Sequence, residues 1–475
     1  MHYVSTRGDK NARSFTDISF EAFAPDGGLR VPAEVPVVPL EKLQTWRGLD
    51  YAGLAFEIFH LFAPEIPRRD LWMLCRDAYQ PKDFPYRRNP FEAEAVTPVT
   101  WLRDGVALLE LSNGPTLAFD DLSLRFASLF YQRILSEEKR PKVLLGATSG
   151  DMGAAAAHAF ANVPGVELVL LSPEGRMSKC QARILYRETA PNVHHVVGTG
   201  TFDDCQDLVN RVLADEAFVK AHRVGAINST LWLRIVSHIV FYFWSYLQAV
   251  DHIGEEVVYA VPAGNFGNAF AGWFAKKMGL PILRLIVATN ENDTFDRFVR
   301  TGVYKPRPSS ETIQTSSPSM DISRAANMER FLHSILDGNT RRVRELTFLL
   351  DDTGEFSLSK EEFAKLRRLG LSSGSSDHPN RLEIIEEMHV NYDVFVDPHT
   401  ADGLYSGIYL HPVGVKTLCL ETVQAVKFPR MIRAATGMNP EWPLGYPVPP
   451  EEVPIPAAQT LSEEGIRRIV EEAAS

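Results

Sequence analysis

Two adjacent carboxylates, Asp120 and Asp121, lie in the segment LELSNGPTLAFDDLSLRF at positions 109–126. Buried carboxylates that lie close together raise the pKa of at least one of them, which can then act as a general acid or base near neutral pH. An equally open interpretation is that Asp120 only accepts hydrogen bonds from N–H groups of its own loop. Because an unpaired buried aspartate is costly, we expect a cation beside it, either Lys427 or Arg125.

A glycine-containing loop, VPAGNFGN, starts at Val261 and precedes a helical pattern. Glycines let backbone N–H groups approach an anion closely, and the N-terminus of the following helix adds partial positive charge. A simple tight connection between two elements would use similar residues. On the residues alone, a phosphate site formed by Gly264, Asn265, Phe266, Gly267 and Asn268 stays open beside that alternative.

Short apolar runs alternate with longer helical patterns from Trp101 onward. The runs that we predict to form buried strands are Lys142–Ala147, Val166–Leu171, Val193–Val197, Val257–Val261 and Ile282–Ala288. The alternation predicts a doubly wound parallel α/β sheet, in which ligands bind at the carboxyl ends of the strands. The segments GPTLAFDD, ATSGDMG and VPAGNFGN all fall where a strand gives way to a helix, so we expect them to form one site.

The bulk composition excludes several classes of partner. The chain has 475 residues, with 49 Lys and Arg against 60 Asp and Glu, and its net charge of −11 argues against nucleic acid or an anionic membrane. The longest apolar run, Ile235–Val250, is interrupted by polar residues, so it predicts a buried helix and not a membrane span. The N-terminus lacks a secretory pattern and the four cysteines form no pair, which favours a cytoplasmic protein. The histidines lack metal-site spacing, so no metal is predicted.

Five motifs occur in the order APDGG, GPTLAF, ATSGD, GNFGN and DPHTA, and this order resembles threonine synthase, a family of pyridoxal 5′-phosphate (PLP) enzymes. The resemblance covers Tyr3 to about Phe428 and implies the α/β fold type II of PLP enzymes, similar to the tryptophan synthase β subunit, and a monomer. The domains predicted on this basis are an N-terminal domain at 1–97, a smaller α/β domain at 98–255, and a larger α/β domain at 256–475 with an irregular insertion at about 291–380. We identify no residue in the insertion with a defined chemical role.

In threonine synthases the first segment reads GPTLAFKD, and its lysine forms the Schiff base with PLP. Asp120 stands at that position here, and a carboxylate cannot condense with an aldehyde. Lys427 is a conceivable substitute, but it lies in the wrong segment. The resemblance therefore implies no covalently bound PLP. It leaves room for non-covalent PLP or another phosphorylated ligand, since the family's loop matching Gly264–Asn268 holds the PLP phosphate.

The resemblance also implies residues that face the substrate. ATSGDMG resembles the loop that faces the substrate carboxylate, SPEGRMS resembles a further substrate loop, AINSTLWLR resembles NSINWAR, and Thr422 resembles the group that contacts the pyridine nitrogen. The substrate-binding residues predicted in this way are Thr148, Ser149, Gly150, Asp151, Arg176, Ser178, Asn228 and Thr422. For Arg176 and Ser178, a surface arginine and a helix N-cap are equally open interpretations.

Several residues in these segments differ from the family pattern. They are Asn113, Asp120, Met152, Leu231, Asp402, Gln424 and Ala425. The glycines and other backbone-defining residues around them are kept, so we interpret the site as naturally diverged, with a changed chemistry. We also expect Asp402 to lie near Asp120.

Three functions are compatible with this pattern. The preferred one is a lyase-like enzyme that works without a PLP Schiff base on a phosphorylated or amino-acid-like small molecule, with Asp120 and Asp121 as its acid–base groups. The second is a non-catalytic relative that binds a phosphorylated ligand. The third is a threonine synthase, converting O-phosphohomoserine to threonine and phosphate, whose lysine has been replaced or whose role another lysine fills.

Overall fold

The computed structural model describes residues 1–89, 91, 94–102, 105–136, 138 and 140–475. Its strands are β1 (Tyr3–Ser5), β2 (Arg30–Pro32), β3 (Val99–Trp101), β4 (Val106–Glu110), β5 (Lys142–Ala147), β6 (Val166–Pro173), β7 (Val193–Gly198), β8 (Val224–Ala226), β9 (Val257–Pro262), β10 (Ile282–Thr289), β11 (Val303–Tyr304), β12 (Phe356–Ser357), β13 (Leu371–Ser375) and β14 (Thr417–Glu421). Its helices are α1 (Phe15–Ile18), α2 (Leu40–Trp46), α3 (Tyr51–Phe62), α4 (Arg68–Ala78), α5 (Asp120–Leu135), α6 (Asp151–Phe160), α7 (Lys179–Tyr186), α8 (Phe202–Ala214), α9 (Glu216–Ala221), α10 (Trp232–Ala249), α11 (Gly267–Lys277), α12 (Thr294–Thr301), α13 (Met328–Ile335), α14 (Thr340–Thr353), α15 (Lys360–Leu366), α16 (His378–Tyr392), α17 (Pro398–Leu410), α18 (Pro429–Thr436) and α19 (Glu463–Ala473).

Two sheets of mostly parallel strands form the body of the protein. The larger sheet has the order β13-β10-β9-β14-β4-β3, in which β3 is antiparallel to β4 and the other neighbours are parallel. The smaller sheet has the order β7-β6-β5-β8, and all its neighbours are parallel. Every residue of β9 and of β14 is buried, as expected for apolar strands that helices cover on both faces.

The five strands predicted from apolar runs are confirmed as β5, β6, β7, β9 and β10. The sequence did not predict β13, because its residues LSSGS are polar and only partly buried at the edge of the larger sheet. Strands β3 and β4 belong to the larger sheet, although they lie in the segment 98–255 that was assigned to the smaller domain. The division of the chain into three domains stays a prediction.

Helix α10 is buried along almost its whole length. It packs against α3 from the N-terminal region, against α5 and against α11, which confirms the buried helix predicted at Ile235–Val250. Its first two turns carry Arg234 and His238, which are 2% and 4% exposed. Within the part of the chain that the structure describes, no helix is long and apolar enough to cross a membrane.

The N-terminal residues contact the insertion as well as α10. Strands β1 and β2 pair antiparallel, and Arg7 forms an ion pair of 2.8 Å with Glu329 on α13. The next residue of α13, Arg330, donates from Nε to the carbonyl oxygen of Arg30 at 3.0 Å. These contacts hold the insertion against the N-terminal region.

Three connections lead from a strand to a helix at the place where the sequence predicts the site. Residues 111–119 connect β4 to α5, residues 148–150 connect β5 to α6, and residues 263–266 connect β9 to α11. Each connection follows the carboxyl end of its strand. In parallel α/β sheets, ligands bind at these ends.

Gly146 in β5 should be sensitive to any side chain. A Cβ at this position would meet the carbonyl oxygen of Ile227 far inside contact distance, so we expect Gly146→Ala to lower the midpoint of thermal unfolding by several degrees, corresponding to about 1–3 kcal/mol of overpacking. Gly48→Ala is the control, because nothing lies within 4 Å of its Cβ, and its effect should stay within about 0.5 kcal/mol. Equal midpoints for the two variants by calorimetry would contradict this account.

Candidate active site

The three connections line one cavity of about 130 Å³. Asp120 lines it from the start of α5, and Ser149 lines it from the connection that precedes α6. All five residues of the loop Gly264–Asn268 line it at the start of α11. Further lining residues come from the insertion and from the last third of the chain, namely Ser319, Met320, His399 and Thr422.

The glycine-containing loop presents free backbone N–H groups to this cavity. Phe266 adopts a left-handed conformation (φ +61°) at the N-cap of α11. Within the described residues, none of the N–H groups of 264–268 donates to an acceptor of the chain. Asn327 braces the loop, because its backbone N–H and its side-chain Nδ2 donate to the carbonyl oxygen of Asn265 at 3.2 and 3.3 Å. Free N–H groups at a helix N-terminus form an anion site.

Asp120 forms a buried ion pair with Arg234. Nη2 of Arg234 donates to Oδ1 of Asp120, and Nε of Arg234 donates to Oγ of Ser123 at 3.1 Å. Burial raises the pKa of Asp120 to about 6, because its effect exceeds the opposing effect of Arg234, and the charges of Asp151 and Asp121 act in the same direction as burial. Asp120 is therefore a carboxyl group whose protonation changes near neutral pH.

Neither cation that the sequence suggested is the partner of Asp120. Arg125 binds Asp83 at 2.7 Å, and Lys427 binds Asp151 at 2.9 Å. Arg125 is five residues beyond Asp120 on α5 and so lies on a different face of the helix, where its guanidinium also reaches carbonyl oxygens at the end of α4.

Asp121 supports the loop that precedes α5. Its Oδ2 accepts from the backbone N–H of Thr116 at 2.8 Å, and its Oδ1 accepts from the Thr116 hydroxyl at 2.8 Å. Burial raises the pKa of Asp121 to about 6 against the effect of these hydrogen bonds. Unlike Asp120, Asp121 does not appear in the wall of the cavity.

A second polar cluster surrounds Asp151 at the start of α6. Oδ1 of Asp151 accepts from Lys427, while Oδ2 accepts from Gln181 Nε2 and from Ser319 Oγ, each at 2.8 Å. Burial alone would raise the pKa of Asp151, but Lys427 and Ser319 lower it overall. Ser319 belongs to the insertion, in which the sequence indicated no residue with a chemical role.

Ser319 also connects this cluster to His399. Its backbone N–H donates to Nε2 of His399 at 3.0 Å, and Nδ1 of His399 lies 2.7 Å from Oδ1 of Asp397. Burial lowers the pKa of His399, but the carboxylate of Asp397 raises it overall. Asp397 is the N-cap of α17 and accepts from two backbone N–H groups of that helix. The imidazole is thus held in one orientation at the cavity wall.

The other predicted substrate residues fall into two groups. Thr148, Ser149 and Thr422 line the cavity, and Thr148 Oγ1 accepts from the N–H groups of Gly150 and Gly153 at 3.0 and 2.8 Å. Asn228 lies instead in a larger, more open cavity of about 480 Å³. The two cavities adjoin, since both are lined by Phe202, Gln206, Ser229 and Asn265.

Arg176 and Ser178 are outside the walls of both cavities. Ser178 is the N-cap of α7, accepts from Gln181 N at 3.0 Å, and donates to the carbonyl oxygen of Lys427 at 2.6 Å. These contacts agree with the alternative interpretation of Ser178 as a helix N-cap. Arg176 is partly exposed, and its charge acts on Asp204.

The hydrogen-bond partners of Asp402 come from other parts of the chain than α5. Its Oδ1 accepts from Arg381 Nη1 at 3.0 Å and from the Ser376 hydroxyl. The acidic groups whose charges act on Asp120 are Asp151 and Asp121. Asp402 lies on α17, where it neutralises the buried guanidinium of Arg381.

Sequence reasoning missed Arg234, His238, Gln181 and Ser319. Arg234 and His238 had a signal, because both stand in an otherwise apolar helix four residues apart and so share one face. A buried arginine there requires an anion. Gln181 and Ser319 had no comparable signal, since a single polar residue in a helix or in a serine-rich segment is most often at the surface.

Comparison with known proteins agrees with this architecture. Residues 2–79 match the family described as the N terminus of threonine synthase, and residues 91–344 match the family of pyridoxal-phosphate-dependent enzymes. Threonine synthase of Methylobacillus glycogenes is 42% identical over 444 residues, which cover 93% of this chain and 94% of that protein. This chain belongs to the threonine synthase family.

Other members of the threonine synthase family align over nearly their whole length. Threonine synthase of Corynebacterium glutamicum is 40% identical over 452 residues, covering 93% of this chain and 92% of that protein. The crystal structure of PLP-bound threonine synthase from Brucella melitensis superposes with a TM-score of 0.89 at 33% identity, covering 100% of this chain and 99% of that one. The predicted α/β fold type II of PLP enzymes, with an N-terminal threonine synthase domain, is confirmed.

The residues that line the cavity fit the phosphate of PLP but not its aldehyde. The free N–H groups of 264–268 fit a phosphate. Among the described residues, no lysine lines the cavity, and the residue at the position of the family's lysine, Asp120, lines it with a carboxylate. Lys427 is fully buried and its amino group binds Asp151. Within the described residues, the wall of the cavity therefore offers a site for the phosphate of PLP, and no side chain of that wall is an amine.

We expect Arg234→Met to destabilise the protein by about 3–5 kcal/mol, because it leaves the buried carboxylate of Asp120 unpaired. The pKa of Asp120 is raised from 3.8 to about 6, so protonation favours the folded state and stability falls as the pH rises through about 6. Arg234 lowers the pKa of Asp120, so its removal raises this pKa further, and the destabilisation by Arg234→Met should be larger at mildly alkaline pH than at mildly acidic pH. Thermal unfolding measured across this pH range tests both statements.

Two variants serve as controls for this experiment. The double variant Asp120→Asn/Arg234→Met removes both charges and should recover most of the lost stability, with little dependence on pH. Arg125→Met breaks an ion pair whose arginine side chain is 34% exposed, so we expect a smaller loss. A double variant as unstable as Arg234→Met would show that the ion pair is not the cause.

Proposed function

We propose that this member of the threonine synthase family acts on a phosphorylated or amino-acid-like small molecule by acid–base chemistry, without a Schiff base to PLP. The observation that carries the proposal is the buried ion pair of Asp120 and Arg234 in a cavity that the loop 264–268 also lines, with N–H groups that have no acceptor within the described residues. The side chain at position 120 differs from the lysine of the family pattern, while the loop 264–268, which would bind an anion through its backbone, is kept.

The loop 264–268 supplies the binding energy for the ligand in this proposal. Its N–H groups would hold a phosphate, and the N-terminal end of α11 adds favourable electrostatics. The relatives are named threonine synthases, which supports an amino-acid-like reactant. PLP held without a covalent bond is one phosphorylated molecule that this loop could accept.

Asp120 is the acid–base group in this proposal. Its Oδ1 is held by Arg234, and its Oδ2 makes no hydrogen bond within the described residues, so Oδ2 is the atom that would give a proton to the ligand or take one from it. A pKa of about 6 places both protonation states within reach near neutral pH. Asp121 would act indirectly, because it fixes the loop that carries Asp120.

A non-catalytic ligand-binding protein is the second candidate. It is favoured by the fact that the charge of Asp120 is already neutralised by Arg234, as a purely structural carboxylate would be. A threonine synthase that uses another lysine is less favoured, because no described lysine lines the cavity. The predicted domain division, a monomer and a cytoplasmic location remain part of the proposal; the buried, free cysteines are in keeping with the last.

We expect the protein mixed with PLP to show no Schiff-base absorption band and no adduct after borohydride reduction, as judged by intact mass. Asp120→Lys restores the GPTLAFKD pattern beside the same phosphate loop, so this variant should gain both the band and a reducible adduct on residue 120. Asp120→Asn is the matched control and should gain neither. An adduct on a lysine of the unmodified protein would overturn the proposal and support a threonine synthase with a substitute lysine.

We expect inorganic phosphate and PLP to raise the midpoint of thermal unfolding, since a ligand at 100 times its Kd adds about 2.7 kcal/mol. Gly264→Val should weaken both ligands, because a Cβ at this position would lie 3.0–3.3 Å from Ile322 Cδ1, Ser319 O and Met320 Cα and displace the loop. Gly48→Ala should bind them normally. Stabilisation that is unchanged in Gly264→Val would place the anion site elsewhere.

A further inference from the structure

The start of α10 carries polar atoms that the site described so far leaves without partners. Nη1 of Arg234 and both ring nitrogens of His238 are buried and have no hydrogen-bond partner within the described residues. The same is true of Nδ2 of Asn268 at the start of α11. All three side chains are more than nine-tenths buried, and all line the smaller cavity of about 130 Å³. Buried polar atoms are nearly always paired, so a ligand is the natural partner of this group.

Aromatic rings hold His238 in place, and its own ring makes no hydrogen bond to any described residue. Its ring centroid lies 5.3 Å from that of Phe119 and 5.5 Å from that of Phe241. Burial and the nearby Arg234 lower the pKa of His238 well below its ordinary value. The imidazole is therefore neutral, with one nitrogen that donates and one that accepts.

Asn268 offers its amide group to the cavity that His238 also lines. Tyr242, one turn beyond His238 on α10, donates to the carbonyl oxygen of Asn268 at 3.0 Å and approaches its Oδ1 at 3.4 Å. These contacts use the oxygens of Asn268 and leave Nδ2 to donate. The polar wall, which we define as Arg234, His238 and Asn268, thus holds three donors and one acceptor.

The polar wall has no net charge to offer. The guanidinium of Arg234 is neutralised by Asp120, His238 is neutral, and Asn268 carries an amide. The other cation close to the cavity, Lys427, is neutralised by Asp151. An anion would gain little from this wall and would lose its hydration on entering, whereas an uncharged oxygen could satisfy the free donors. The phosphate loop differs, because its donors lie at a helix N-terminus.

We infer that the ligand is a phosphate ester whose other end carries an uncharged oxygen, a hydroxyl or a carbonyl group, which the polar wall of Arg234, His238 and Asn268 binds. The inference rests on the proposed function, because it assumes that the loop 264–268 binds the phosphate. It goes further in separating two classes of phosphorylated molecule. A phosphorylated α-amino acid places charged groups at the end where this wall provides uncharged hydrogen bonds.

Isothermal titration with three probes tests the inference. Propyl phosphate carries the phosphate alone, glycerol 3-phosphate adds hydroxyl groups to the same three-carbon chain, and O-phospho-L-serine adds charged groups. We expect glycerol 3-phosphate to bind about tenfold or more tightly than propyl phosphate, since hydrogen bonds to otherwise unpaired buried groups are worth about that factor. O-phospho-L-serine should bind no more tightly than propyl phosphate.

The variant His238→Phe connects the preference to the polar wall. It should remove most of the preference for glycerol 3-phosphate and keep the binding of propyl phosphate, while His238→Gln, which retains a donor and an acceptor, should keep part of the preference. In the ligand-free protein, His238→Phe should not lower the midpoint of thermal unfolding, because the histidine ring makes no hydrogen bond to lose. A clear loss of stability would show that His238 has a structural role instead.

The outcomes separate this inference from the proposed function. If none of the three phosphate esters binds, the phosphate site fails and the inference fails with it. If all three bind equally well, the phosphate site stands and the inference is overturned. Tightest binding of O-phospho-L-serine would likewise overturn it and indicate an amino-acid-like ligand.

Discussion

The buried ion pair between Asp120 and Arg234 is the interaction on which the candidate site depends. It joins the first turn of α5 to the first turn of α10, the helix that packs against both the N-terminal region and α11. Each charge would be prohibitively unfavourable in this interior without the other, so the two helix starts are held together. One oxygen of Asp120 and one nitrogen of Arg234 stay outside the pair, so it supports the structure and still leaves atoms for a ligand.

The anion site next to this pair is built differently, from the backbone. Gly264 approaches the insertion so closely that a Cβ would contact Ser319 and Met320, and Phe266 takes a left-handed conformation so that the following N–H groups point out of the helix end. Such a site does not depend on the side chain at position 120. The change from the lysine of the family pattern to aspartate could therefore alter the reaction while phosphate binding persisted, which is the basis of the proposed function.

Much of the fold followed from the sequence, because five strands are apolar runs of the expected length and the glycine loops mark where they end. Strand β13 could not be predicted, since its serines are stabilised by pairing at a sheet edge and not by burial. In the site, Asp120 was recognisable from its motif, but its partner was not. Arg234 lies 114 positions away, and only the packing of α10 against α5 brings it closer than Arg125. Ser319 was missed because only the folded chain brings it to Asp151, which is distant in the sequence.

The raised pKa of Asp120 bears on whether the site is functional. Even beside an arginine, burial keeps this carboxyl group easier to protonate in the folded state than in the unfolded chain, so the protein loses stability at neutral pH by keeping it ionised. An apolar pair of similar volume would avoid this loss and would often be more stable. The buried nitrogens of His238 and Arg234 that have no hydrogen-bond partner within the described residues lower the stability of the folded state further. Unfavourable terms gathered around one cavity, and next to an intact anion site, are more readily explained by a ligand that relieves them than by a cavity without a role.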